Sequence, residues 1–228
     1  MSLDEAQNGR FSFRRLLSYL VPLTRRVPSA YSGSLEITTW RGYKVLNTAL
    51  ANYSYGSLQR VLRYGLRFVP VADAAAPVLI LGLGGGSVLP LLRREQGRTG
   101  AITAVELDPA VLQVAAEEFG VKPGPGLALV CADAFAWLPT APPDFFELVV
   151  VDLFLDLTLP SELGEVEFWQ QLRRVLRPGG RALCNLLVTV ELRPDTQPLP
   201  EFLEELGFAV KDMEVEQLNR LLILQRRA

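Results

Sequence analysis

The chain contains no histidine. The side chain that most often moves protons near neutral pH, and most often ligates metals, is absent, so acid–base work falls to carboxylates, tyrosine, lysine or cysteine. Imidazole-rich metal centres are excluded, and no metal is expected. Cysteine is nearly as scarce. Cys131 and Cys184 are too few for a disulfide framework, and both fall in stretches that read as buried strands. That fits reduced thiols in a cytoplasm-like compartment, with a bridge between neighbouring strands as the alternative. No apolar run approaches the ~18 residues of a membrane span. The opening MSLDEAQNGR is polar and acidic before any apolar run, so no signal-peptide pattern is expected. Positive charge is not in excess either. The 23 Lys and Arg stand against 25 Asp and Glu, a net charge of −2, which argues against a dedicated nucleic-acid binder. No Gly-Lys-Ser/Thr follows a glycine run, which excludes a P-loop, and no internal repeat is visible.

What is present is apolar residue, 49% of 228 positions, enough for one large domain or a domain with a small appendage. The organising stretch is VLILGLGGGSVLPLLRREQGRTGAITAVELD, residues 78–108. Val78 to Leu81 has the length and β-branched content of a strand buried on both faces. Gly82, Gly84, Gly85 and Gly86 then permit positive φ and close approach of a ligand, and Ser87 to Arg94 reads as a helix. A second strand, Ala101 to Val105, ends in Glu106, 20 residues past Gly86, a spacing that suits a carboxylate gripping ribose hydroxyls. The pattern is the nucleoside-binding half of a doubly wound α/β sheet, with ligand expected outside the carboxyl ends of the strands.

Upstream, Phe11 to Leu23 places Phe13, Leu16, Leu17 and Leu20 at helical spacing among arginines. It reads as an amphipathic helix packed on the body or on a second subunit, a membrane-surface role being the weaker alternative. Period-two patterning over SLEITTW and YKVLNT, with Arg41-Gly42 between, predicts a β-hairpin. The segment holding Tyr53 and Tyr55 follows, either as hairpin packing or as a lid. Leu58 to Phe68 is the linking helix. The expected division is an N-terminal arm over 1–30, a hairpin region with its linking helix over 31–68, and the sheet domain over 69–228.

Downstream, strand and helix alternate. Asp108 as N-cap and Pro109 start a helix to Phe119. Strands Leu127 to Cys131, Phe146 to Val151 and Arg181 to Val188 follow, with a helix from Glu165 to Leu176 ended by Arg177-Pro178-Gly179-Gly180. After a helix from Pro198 to Leu206, Phe208 to Met213 and Leu218 to Gln225 have no helix between them and predict a closing hairpin. Glu106, Asp133 and Asp152 each close a different strand, so three carboxylates distant in sequence should ring one crevice. Asp133 has the plainer reading of a helix cap. The dinucleotide fingerprint G-x-G-x-x-G fails at its sixth position, Ser87, which makes a nicotinamide-dependent dehydrogenase a distant alternative.

These residues carry a resemblance. VLILGLGGGSVLPLL, AVELDP, CADAFAWL, FFELVVVD and EFWQQLRRVLRPGG look like the spermidine synthase family, a branch of the class I S-adenosylmethionine-dependent transferases. The likeness runs from Gly33 onward, and NYSYGSL resembles the segment that supplies the family's active-site tyrosine. The resemblance implies a Rossmann-like α/β fold of class I methyltransferase type, a seven-stranded sheet with the last strand antiparallel and a small N-terminal β-hairpin appendage. It implies that Glu106 holds the donor's ribose, Asp133 its adenine amino group with Ala134 beside it, and Gly82, Gly84, Gly85 and Gly86 its amino-acid end. Asp152 would orient and deprotonate the acceptor, with Tyr55 near it. A homodimer in the cytoplasm is expected.

Three departures from the family's pattern redirect the reading. Gly85 stands where aminopropyltransferases carry the aspartate that holds the ammonium of decarboxylated S-adenosylmethionine, so the ordinary donor becomes more plausible and the turn's N–H groups could receive its carboxylate. The family's Asp-Ser-Ser-Asp is Asp152-Leu153-Phe154-Leu155-Asp156, and its glutamine after the tyrosine is Gly56. A polyamine pocket needs several fixed carboxylates, and fewer are found. Methyl transfer to a small-molecule acceptor, such as an amine, is therefore favoured over aminopropyl transfer to putrescine. A non-catalytic relative, its pocket blocked by Leu153, Phe154 or Leu155, is the third reading.

Overall fold

The computed structural model describes residues 16–48, 52–54, 56–155 and 158–227. Tyr55 and Asp156, and the first half of the helix expected over 11–23, lie outside the described residues. The described end of that segment departs from expectation. Leu16 and Leu17 close a helical turn, but β1 (Leu23–Ser29) is already a strand, paired antiparallel with β2 (Gly33–Trp40). The alternation expected downstream is seen in β2, β3 (Tyr43–Thr48) and the short β4 (Asn52–Ser54), giving a four-stranded antiparallel sheet in the order β1-β2-β3-β4. Arg41 and Gly42 both take positive φ, 49° and 79°. That pair of conformations matches the right-handed twist of the flanking strands, and it places Trp40 opposite Tyr43.

The appendage has one covered face. Leu35, Ile37 and Leu46 are buried against Val111 and Val114 of the helix Pro109–Glu118, the face that period-two spacing selects. Arg25 and Lys44 meet Glu118 at the rim of this contact. A linking helix, Ser57–Leu66, then buries Val61, Leu62 and Leu66 on the main sheet.

The main sheet has seven strands: β5 (Val78–Leu81), β6 (Ile102–Glu106), β7 (Leu127–Cys131), β8 (Phe146–Val151), β9 (Leu176–Leu187), β10 (Phe208–Val215) and β11 (Asn219–Arg226), in the spatial order β10-β11-β9-β8-β5-β6-β7. β5 pairs in parallel with β6 and β8, and β11 runs antiparallel to both β9 and β10. The seven-stranded sheet with a reversed last strand is thus as expected. Every residue of β5 and β8 is buried, as required of central strands covered by helices on both faces. β7 lies at the edge, and its exposure corrects one expectation: Cys131 is exposed, Cys184 is buried, and both thiols are free. Three strands separate β7 from β9, so the two cysteines are not on neighbouring strands. Another difference is at Arg177-Pro178-Gly179-Gly180. Beyond ending the preceding helix, Val166–Val175, this stretch forms an irregular first part of β9, where Leu176 pairs with Phe146 and Arg181 with Leu148. Among the described residues no helix is long and apolar enough to cross a membrane.

Register fixes what stands at the carboxyl rim. Leu81 pairs with Val105 and Val151, and Val151 pairs with Cys184. The next residue on each strand therefore belongs to one row: Gly82, Glu106, Asp152 and Asn185. Gly82 has a specific duty there. Its φ is +86°, and a Cβ on it would come 2.1 Å from the Asp152 carbonyl oxygen. Gly82→Ala is expected to cost at least about 2 kcal/mol of stability in urea unfolding, from strained backbone and a displaced β8 end together. An unchanged midpoint would show that the two loops tolerate separation.

Candidate active site

A cleft of about 550 Å³ opens at the carboxyl rim of the sheet, within the size range of small-molecule sites. Glu106, Asp133, Ala134 and Asp152 all line it, as expected, together with Gly82 and Gly84. Gly85 and Gly86 do not. A Cβ on Gly86 would meet the Val121 side chain at 2.7 Å, so this glycine makes room for packing behind the loop. The glycine turn also spends its amides differently from expectation. The Leu83 and Gly84 N–H groups both donate to Glu106 Oε2 at 3.0 Å, and the Asp108 N–H donates to Oε1 at 3.1 Å. Two of the amides expected to receive a donor's carboxylate are therefore already engaged by Glu106, and the Gly86 N–H donates to the Leu83 carbonyl.

Glu106 is only 6% exposed. Burial raises its pKa above the ordinary carboxylate range, a rise opposed by the three backbone donors. Asp133 does what its plainer reading foresaw. Its Oδ1 accepts from the Phe135 and Ala136 N–H groups at 2.8 and 2.9 Å and caps the short helix Ala134–Trp137. Asp108 is the N-cap expected from sequence, accepting from the Ala110 N–H at 2.8 Å. Its other oxygen accepts from Ser29 Oγ at 2.5 Å, and Ser29 Oγ in turn accepts from the Tyr31 and Ser32 amides. This ties the β1–β2 turn to the end of β6 and brings Tyr31 to the cleft wall.

Asp152 sits between the glycine turn and β9. Asn185 Nδ2 donates to Asp152 Oδ1 at 2.8 Å, and Asn219 Nδ2 donates to Asn185 Oδ1 at 2.9 Å. Asn185 is 1% exposed. It aligns one residue past the Val151–Cys184 pair, and Asn219 reaches it diagonally from β11. Burial pushes the Asp152 carboxyl from 3.8 up to about 6, Asn185 opposes the rise, and the Glu106 charge adds to it.

Sequence reasoning missed Asn185, Asn219, Tyr31 and Phe135, all of which line the cleft. Asn185 had a readable signal: a single amide inside the apolar run ALCNLL demands a buried partner. Leu153, Phe154 and Leu155 line the open cleft and do not close it. Among the described lining residues the charged ones are Glu106, Asp108, Asp133, Asp152 and Glu162, with no lysine or arginine. No three described acidic or cysteine side chains converge on a point where a metal ion could be held.

Sheet order, glycine turn and rim carboxylates define the class I S-adenosylmethionine-dependent transferase fold. A family model described as a methyltransferase domain matches residues 78–180. A probable polyamine aminopropyl transferase of Bifidobacterium longum is 33% identical over 116 residues, 51% of this chain. The chain spans only 25% of that relative's length. Among solved structures, a probable spermidine synthase from Corynebacterium glutamicum superposes with a TM-score of 0.62 at 18% identity, covering 91% of this chain and 77% of that one. Human methyltransferase-like protein 13, solved in complex with SAH, superposes with a TM-score of 0.57 at 21% identity, covering 76% and 83%. Over the matched stretches the chain is similar both to polyamine aminopropyltransferases and to methyltransferases, and it shares their fold.

The raised pKa of Asp152 has a stability consequence whose sign is fixed. The folded state holds this proton more tightly than the unfolded chain, so stability is lost as pH rises from 3.8 to about 6 and stays lost above that. Asp152→Asn removes the ionisation and keeps an oxygen facing Asn185. It is expected to be more stable than the parent by roughly 1–3 kcal/mol in urea at pH 8, with the advantage gone by pH 4. A variant less stable than the parent at pH 8 would contradict the burial argument.

Proposed function

We propose that the chain transfers a methyl group from S-adenosylmethionine to an amine nitrogen of a small molecule. The observation that carries this reading is Asp152, a carboxylate held in the row beside the glycine turn by a buried amide and facing a cleft that no basic side chain among the described residues lines. The residues present fit the donor. Glu106 faces the cleft with its orientation fixed by three backbone donors, and Oε1, which accepts only one of them, keeps acceptor capacity for a ribose hydroxyl. Phe135 and Leu107 add apolar lining to the part of the cleft that holds Asp133 and Ala134, where an adenine would lie. When bound, the donor supplies a carbon made electrophilic by its sulfonium, with a neutral thioether as leaving group.

The chain's own residues have the remaining work. Asp152 accepts a hydrogen bond from the acceptor's amine, aims the nitrogen lone pair and takes up the proton that nitrogen loses as it becomes alkylated. A carboxyl with a pKa of about 6 is ionised at neutral pH and still basic enough for that transfer. Asn185, itself oriented by Asn219, keeps one Asp152 oxygen engaged, so the other presents to the cleft.

Aminopropyl transfer is the second reading, and the all-acidic cleft favours it, because a donor lacking a carboxylate meets no repulsion there. Against it stands the glycine turn, Gly82-Leu83-Gly84-Gly85-Gly86-Ser87, which has no acidic side chain to hold that donor's ammonium.

Offering each donor with a panel of amines and weighing the nucleoside products decides between them. S-adenosylhomocysteine from the ordinary donor supports methyl transfer, and methylthioadenosine from the decarboxylated donor with putrescine supports the second reading. Calorimetry that detects neither donor removes both. Glu106→Gln is expected to weaken donor binding at least tenfold, since it leaves backbone donors facing an amide N–H. Asn185→Leu should raise the Asp152 pKa further and move the acid limb of kcat/KM upward from about 6, so that activity falls more at pH 6.5 than at pH 8. An equal loss at both pH values would make Asn185 a packing residue only.

A further inference from the structure

The strand order divides the cleft into two halves of different chemistry. The ends of β5, β6 and β7 carry the glycine turn, Glu106 and Asp133. The ends of β8, β9 and β11, on the other side of the turn, carry Asp152, Asn185 and Asn219. With neighbouring strands about 4.8 Å apart, the second half extends roughly 10 Å from Asp152 to β11. Beyond the Asp152–Asn185–Asn219 row its described wall is mostly hydrocarbon, Leu153, Phe154, Leu155, Leu187 and Leu218, with Thr158, Ser161 and Glu162 as the polar residues of the loop after β8. Leu153 and Phe154 are anchored by packing on the main core, and Leu187 is nearly buried. Leu155 and Leu218, in contrast, are 38% and 56% exposed at the mouth, large apolar groups that a bound apolar arm would cover. The second carboxylate among the described residues of this half, Glu162, is exposed and accepts a hydrogen bond from the neighbouring Ser161 hydroxyl at 3.2 Å.

We propose that this half of the cleft takes a primary amine bearing a single apolar arm, its nitrogen at Asp152 and its alkyl or aryl arm along Leu153, Phe154, Leu155, Leu187 and Leu218. The proposal rests on the reading of Asp152 as the acceptor's anchor and adds the class of acceptor. A linear diamine fits poorly because its second ammonium would give up water to lie against leucines. Each methylene of a monoamine instead removes apolar surface from water and multiplies affinity by about four.

The test uses the full chain, alone and loaded with S-adenosylhomocysteine, and measures binding of n-butylamine, n-hexylamine, 2-phenylethylamine and putrescine by calorimetry. Turnover of the same amines with S-adenosylmethionine is followed by product mass. The expected result is affinity rising about tenfold or more from butylamine to hexylamine, 2-phenylethylamine comparable with hexylamine, and putrescine at least 30-fold weaker than hexylamine. Leu155→Asp, at an exposed position whose backbone bridge to Thr158 the substitution keeps, should reduce hexylamine binding about tenfold and improve putrescine by a similar factor. Putrescine equal to or better than hexylamine, no dependence on chain length, or no amine binding at all would each overturn the proposal. The transfer reading fails separately. Chain-length-dependent amine binding with no group transferred leaves the acceptor class standing without the reaction, whereas methyl transfer to putrescine alone leaves the reaction standing without the acceptor class.

Discussion

Three backbone N–H groups converge on one carboxylate, and the rest of the site is arranged about that contact. Glu106 accepts from Leu83 and Gly84 on one oxygen and from Asp108 on the other. The glycine turn after β5 and the chain leaving β6 are thereby locked to a common anion. Neither loop could hold its course alone, since Gly82, Gly84 and Gly86 adopt positive φ and offer no side chains to pack. A buried carboxylate is costly when isolated and tolerable when its lone pairs are filled by fixed donors. Glu106 thus acts on the fold first, and its orientation at the cleft is fixed for that structural reason.

The same row concentrates unfavourable charge. The Glu106 charge disfavours ionisation of Asp152, the Asp108 charge disfavours that of Glu106, and burial acts in the same direction on both. Packed leucines in those positions would make a more stable sheet edge. The sheet tolerates the pair because β5 and β8, directly beneath, are completely buried, and apolar except for Glu147, which is paired with Arg177 at the far end of β8. The cost falls at the rim, where it raises the Asp152 pKa to about 6, and the strands below supply the stability.

Legibility from sequence followed the range of the interactions. The glycine turn, the strand-ending carboxylates, the Asp108 cap and both hairpins are set by residues within a few positions of one another, and each could be read. Asn185 and Asn219 depend on which strands lie side by side. β9 and β11 become neighbours only once the last strand inserts antiparallel beside β9, and no local pattern says which asparagine will face which aspartate. β1 was hidden for a related reason. Leu23 to Ser29 contains two arginines and a proline, a poor strand by propensity, and it is held by a full register of pairing to β2. Tyr31 came with it, because the Ser29–Asp108 contact that brings this turn to the cleft joins residues 79 positions apart.

The departures from the family's pattern and the carboxylates that remain follow one logic. Glu106 is bound by three amides, Asp108 caps a helix and holds Ser29, Asp133 caps another helix, and Asp152 is paired with Asn185. Each has a partner within the chain that needs it charged or polar whether or not a ligand is bound. The acidic positions that the resemblance places in the glycine turn and two residues after Leu153 would have had only a ligand's ammonium for company. In this chain the first is Gly85, and the second is lost at Leu155 or displaced by one residue to Asp156. These four carboxylates keep their charge where the fold itself supplies a partner, whereas Glu162, exposed on the cleft lining, has the neighbouring Ser161 hydroxyl.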